Sequence, residues 1–294
     1  MVRADLYKNL PTSDELPSSD DTPVDNVGRR TSRSEDQNLL PNYLLFLLQL
    51  IWQDRQDWYF GADMAIYHTT GVSPKVPIVP DGFLSLGVPR RKPGNRSRKS
   101  YVLWEEADIA PTLVLEMVSW TPGNEYDQKL NIYAQLDVLY YAIYNPDYWQ
   151  RDRHQPFEVY KLVDGQYQLQ IGEPYWMPEV SLGLGRSLGR IGGLEREILS
   201  WFDVQGDRYL SGEERAAQAQ EQIQAAQQQA QTAQQQVQAA QQQVQAAQQQ
   251  IEQERQARVT AVRQLHQMGL TTTQIAAALS LTLDDVNQQI RDYE

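Results

Sequence analysis

The sequence predicts an α/β core whose mixed sheet is flanked by helices, followed by a long coiled-coil helix and a small C-terminal helical module. Three observations carry this. Between Leu113 and Pro146 an apolar run, a turn, an amphipathic segment and a second apolar run follow one another, the strand–helix–strand order of an α/β unit. Phe157 to Leu162 and Tyr167 to Ile171 then flank Asp164-Gly165, the signal of a β-hairpin. After about Ser211 the composition collapses to Ala, Gln and Val with a seven-residue repeat.

Residues up to 38 are rich in Ser, Asp, Pro and Thr and bury too little apolar surface to offset ordering entropy, so a disordered tail is expected. The core is expected over 39–205. Leu44, Leu45, Leu48, Ile51 and Trp52 recur at helical spacing and mark its first helix, starting at Leu39. That apolar stretch is broken by Pro41, Asn42 and Gln49 and is shorter than the ~20 residues a bilayer span needs. Short strands are expected at Tyr59 to Tyr67, Val76 to Val79 and Leu84 to Val88. The basic run 89–100 holds Arg90, Arg91, Lys92, Arg96, Arg98 and Lys99, either as a solvated turn or as a phosphate-contacting loop. Past the hairpin, Gly183, Gly185, Gly189, Gly192 and Gly193 punctuate the end of the core, with Gly192-Gly193 expected in a loop.

From 206 to 258, Ile223, Ala230, Val237, Val244 and Ile251 share one register and Ala226, Ala233, Ala240 and Ala247 lie three residues later, the a and d positions of a coiled coil. The seam is thin and flanked by Gln, so either self-association into a homo-oligomer or a solvated spacer is open, and isolated helices favour the former. Residues 259–294 outline a helix-turn-helix-like module, with helices at Thr273 to Leu279 and from Thr282. Its last helix offers Asp284, Asp285, Gln288, Gln289 and Arg291, which suits protein contact better than reading DNA.

Net charge is −12 over 294 residues, so the whole chain has no electrostatic pull toward nucleic acid, although a local basic site is compatible. The absence of cysteine excludes disulfides and Cys-ligated zinc. With no signal-peptide pattern at the N-terminus, a cytoplasmic protein without membrane contact is expected.

The chemistry gathers around Glu116, a carboxylate inside the apolar run Leu113 to Val118. Alternation puts Leu113, Leu115 and Met117 on one face and Val114, Glu116 and Val118 on the other. An unpaired charge there costs several kcal/mol, so a metal ion or a basic partner should neutralise it. After S-W-T-P-G-N, with Asn124 as the expected N-cap, Tyr126, Lys129, Leu130, Tyr133 and Asp137 form one helix face. Lys129 therefore turns toward the sheet unless it snorkels past the tyrosines. Asp81, just before the strand at Phe83, is a second carboxylate, and Asp63 a further one. Asp81 and Glu116 would suit a hard cation such as Mg²⁺ or Mn²⁺.

P-D-G-F-L-S-L at 80–86, L-V-L-E-M-V-S at 113–119, E-Y-D-Q-K-L-N-I-Y-A at 125–134 and Y-Y-A-I-Y-N-P at 140–146 together resemble the Uma-two-type restriction endonuclease family. That family is numerous in cyanobacteria and belongs to the PD-(D/E)XK nuclease superfamily. The resemblance covers about residues 40–200. It implies a restriction-endonuclease-like fold and metal-dependent hydrolysis of DNA phosphodiesters, with Asp81 and Glu116 as the motif carboxylates. The lysine expected two residues after the glutamate is replaced by Val118, and the resemblance implies that Lys129 takes its place. The rival expectation is a catalytically silent nuclease-fold scaffold that assembles through the coiled coil.

Overall fold

A computed structural model of the chain describes residues 10–16, 35–71, 73–120 and 124–292. It divides into two compact units, residues 1–216 and 217–294. The first unit is mixed α/β, as expected. Its six-stranded sheet has the order β1 (Trp58–Ala62), β3 (Gly82–Leu86), β5 (Leu113–Met117), β6 (Tyr140–Tyr144), β7 (Phe157–Val163) and β8 (Gln166–Leu169). Only β5 and β6 run parallel, and the crossover between them carries helix α2 (Gln128–Gln135). The other neighbours in the sheet are antiparallel.

Alternation along β5 sorts its side chains as the pattern predicts. Leu113, Leu115 and Met117 enter a core with Leu40, Leu44, Leu47 and Leu48 of α1 (Glu35–Ile51). Val114 and Val118 enter a second core with Tyr133 and Leu136 of the α2 segment. A further antiparallel sheet closes the first core: β9 (Tyr175–Met177), β10 (Leu182–Ile191) and β11 (Leu194–Phe202). Trp201 of β11 donates its indole N–H to the Leu44 carbonyl at 3.0 Å, tying this sheet to α1.

Several local expectations change. Helix α1 begins at Glu35, four residues earlier than expected, and accommodates Pro41. Of the tail, residues 10–16 form a turn against the core: Leu16 packs with Ala65, Tyr67 and Val102, and Trp104 donates to the Pro11 carbonyl. Positions 1–9 and 17–34 lie outside the described residues. The run from Tyr59 to Tyr67 breaks at Asp63, whose φ is 58°, leaving β1 and the short β2 (Ile66–Tyr67), which pairs with β4 (Tyr101–Val102). Val76 to Val79 supplies a single bridge, Ile66 to Ile78, because Pro74, Pro77 and Pro80 lack the N–H a ladder needs. Gly183, Gly185 and Gly189 are strand residues of β10. Gly185 and Gly189 leave room for Pro174 and Ile198, and Gly192-Gly193 is the β10–β11 turn.

The basic run 89–100 is engaged with its own protein. Buried Arg98 grips buried Glu106 through two bonds of 2.8 and 2.9 Å and donates to the Pro89 carbonyl. Arg90 covers the Trp58 ring, Lys92 pairs with Glu105, Lys99 with Asp14, and Arg91 with Asn95. Within this run Arg98, Lys92 and Lys99 pair with carboxylates of the same unit, while Arg91 and Arg96 bond neutral oxygens of the loop itself.

Most of the second unit is α4 (Gly212–Gln267), one unbroken helix of 56 residues, about 80 Å long. The heptad segment therefore continues without a break through Val262 and Leu265, up to the turn at Gly269. Val262 near its end packs with Ile275 and Ala276 of α5 (Thr272–Leu279) and with Val286 and Ile290 of α6 (Leu283–Arg291). Thr271 and Gln274 form a capping box that starts α5, and Thr282 caps α6. Among the described residues no helix is long and apolar enough to cross a membrane.

Candidate active site

Glu116 is 1% exposed in the middle of β5. Its neutralising partner is Lys129, whose Nζ lies 2.8 Å from Glu116 Oε2. Tyr133, one helical turn further along α2, donates its hydroxyl to Oε1 at 2.6 Å. The i, i+4 pair on the inward face of α2 thus takes one carboxylate oxygen each. The helix itself is shorter than expected: it begins at Gln128 with Asp127 as N-cap, and Asn124, at φ 63°, opens the turn before it.

Asp81 stands one step beyond the last ladder pair, Gly82 with Leu115, which puts it at the cross-strand position of Glu116. Its Oδ2 accepts the Met117 N–H at 2.6 Å, so the residue is hooked onto the end of β5. Burial, and then the negative charge of Glu116, push the Asp81 carboxyl up to about 8, against the pull of Lys129 and the Met117 N–H. For Lys129, burial favours the neutral amine, but Glu116, Glu125 and Asp81 together outweigh it and hold the ammonium charged. Burial and Glu116 raise the Tyr133 phenol well above its ordinary range, so it remains a neutral donor.

Asp81, Glu116 and Lys129 are therefore brought together. Asp63 adjoins them through its backbone, donating its N–H to the Asp81 carbonyl at 3.0 Å. The third carboxylate acting on both Asp81 and Lys129 is buried Glu125. Among the described residues, no group of three or more acidic or His side chains is placed to hold a metal ion. Tyr133 and Glu125 are the contributors that sequence reasoning did not single out. Their signals were present: Tyr133 shares the inward face with Lys129, and Glu125 precedes that lysine by four residues.

The family model described as "Uma2: Putative restriction endonuclease" matches residues 31–190, just over half of the chain. The chain belongs to this family. The Uma2 match spans the residues described above, from Asp81 through Tyr133. A solved structure titled as a putative nuclease belonging to DUF820, from Anabaena variabilis ATCC 29413, is similar to this chain. It has 12% sequence identity and a TM-score of 0.38, and the match covers 57% of this chain and 88% of that one. No curated protein matches.

Proposed function

We propose that this Uma2-family chain hydrolyses DNA phosphodiester bonds with a divalent cation, Mg²⁺ or Mn²⁺, at Asp81, Glu116 and Lys129. The carrying observation is the 2.8 Å contact of Lys129 with a buried glutamate whose cross-strand neighbour is a second carboxyl group. The donor set suits a hard cation. Burial, and then repulsion from Glu116, raises Asp81 to about 8, and a divalent ion held by these two residues would offset both. Each carboxylate oxygen offers two lone pairs, so Glu116 can keep Lys129 and Tyr133 while binding an ion. Such a cation lowers the pKa of a bound water and stabilises charge developing on phosphorus.

The protein's own groups do the rest. Glu116 holds the Lys129 ammonium beside both carboxyls, where it orients the attacking water and offsets phosphate charge. Tyr133 fixes the second Glu116 oxygen, so the carboxylate keeps one rotamer. Glu125 adds negative charge that keeps Lys129 protonated.

Supercoiled plasmid incubated with the full chain should be nicked with Mg²⁺ or Mn²⁺ and left intact in EDTA. Nicking that survives EDTA, or none with either ion, rejects this reading.

A second reading is a catalytically silent scaffold that assembles through α4. Its support is that both Glu116 oxygens already carry protein partners, while Ile223, Val237, Val244 and Ile251 stand exposed at one heptad register. Assembly through that stripe also suits the hydrolase. Light scattering on the full chain at tens of micromolar should give a multiple of the 33.8 kDa monomer mass. A strict monomer there rejects self-association.

A further inference from the structure

Along the middle of α4 a lone helix would have little to hold it. Residues 222–250 contain no charged side chain, so the i, i+4 ion pairs that support a solvated helix are missing there. Ile223, Val237, Val244 and Ile251 are each more than half exposed, in one stripe. With the alanines three residues later, the stripe is two residues wide per heptad, the seam of a two-stranded coiled coil. The flanks say what covers it. Every e and g position from 222 to 250 is Gln, whose amide both donates and accepts and so pairs with its own kind. No charge in that stretch selects a foreign helix. The occupant these features fit is a second copy of this chain.

Residue size and the ends of the seam set the direction of that copy. In a parallel pair, a meets a and d meets d. Val237 would meet Val237 and Ala240 would meet Ala240, so wide and narrow layers would alternate and leave gaps at the alanines. The next d and a positions are Glu254 and Arg258, and a parallel pair would set each against its own like charge. An antiparallel pair sets each a position level with a d position of the partner. Large and small residues then share layers, and the two axes keep one spacing.

One register does this along the whole seam. With Ile223 level with the partner's Ala247, Val237 meets Ala233, Val244 meets Ala226 and Ile251 meets Ala219. Ala230 meets Ala240 as the narrow layer on each side of the centre. Sliding by one heptad sets Glu254 against Ile223 in one direction and Gly212 against Ile251 in the other. In the unshifted register the charges past the seam also match. Glu254 comes beside Arg215 of the second copy, and Arg255 and Arg258 come beside its Glu213, all of them exposed side chains.

We propose that α4 binds a second copy of this chain as an antiparallel two-stranded coiled coil in which Ile223 and the partner's Ala247 share a layer. This rests on the assembly reading of α4 and is independent of the hydrolase. The two copies of Ala216, where the first unit ends, then stand about 57 Å apart, so the two first units join the rod at opposite ends.

The chain has no cysteine, so single introduced cysteines report on the layers. A disulfide needs Cα atoms about 4.4–6.8 Å apart, which only residues of one layer offer. Full-length Ile223→Cys and Ala247→Cys chains, one of them bearing an affinity tag, are mixed, equilibrated under reductant, oxidised and separated without reductant. Val244→Cys with Ala226→Cys repeats the measurement nearer the centre. The expected result is a mixed disulfide dimer from both pairs and none from any variant alone. In a parallel pair, positions 223 and 247 stand about 36 Å apart and each variant links to itself instead. Self-linked dimers, or a mixed dimer from one pair only, overturn the proposal. So does the absence of any mixed dimer, and the light-scattering mass of the same samples then separates the two claims. A multiple of the monomer mass rejects the direction and register alone, whereas a monomer rejects the assembly reading with them.

Discussion

Replacing Lys129 by methionine is expected to cost about 3–5 kcal/mol of folding stability and to abolish nicking together. The substitution keeps most of the apolar stem and removes the ammonium that touches buried Glu116. Glu116 would then share its surroundings with Asp81 and Glu125 without compensation. Tyr133 would still donate to Oε1, but one neutral hydrogen bond does not balance a buried charge. The double variant Glu116→Gln with Lys129→Met removes both charges and should regain most of the stability while staying inactive. Urea denaturation of the four members of this cycle measures the coupling. A coupling energy below about 0.5 kcal/mol, the range of exposed pairs, would contradict a buried compensating contact.

The opposite sign is expected at Asp81. Its carboxyl binds a proton up to about pH 8 in the fold, whereas an unfolded aspartate releases it near 3.8. A group with a raised folded-state pKa stabilises the fold below its unfolded value and loses that contribution as pH rises toward the folded value. Wild-type stability should therefore decline between about pH 4 and pH 8 through this residue. Asp81→Asn can keep an acceptor for the Met117 N–H and carries no charge. Residual solvent at Asp81 screens the penalty, so the variant should gain about 1–3 kcal/mol at pH 8 and nothing near pH 4. Mn²⁺ should raise the melting temperature of wild type at pH 8 and leave Asp81→Asn unmoved. A variant less stable than wild type at pH 8 would contradict the idea that Glu116 and burial strain this carboxyl.

The central unit was legible because its periodicities are strict. Alternation through Leu113 to Val118 separates the two cores, and the spacing of Tyr126, Lys129 and Tyr133 brings the lysine onto Glu116. The family was legible from four short motifs spread over 80–146. What could not be read depended on contacts distant in sequence. Nothing local to 89–100 says that Arg98 is claimed by Glu106, or that residues 10–16 return to Lys99 and Trp104. The glycines of 183–193 look like loop punctuation until Pro174 and Ile198 are seen to need the space they leave.

The most direct measurement is the single-turnover nicking rate of supercoiled DNA in Mn²⁺ at pH 8, comparing wild type with Glu116→Ala. Loss of the Glu116 carboxylate removes the proposed cation ligand and the acceptor for Lys129 together. A fall of at least about a hundredfold, the lower end of what one preorganised electrostatic group contributes, is the predicted result. Equal rates in the two proteins would contradict the assignment of the site.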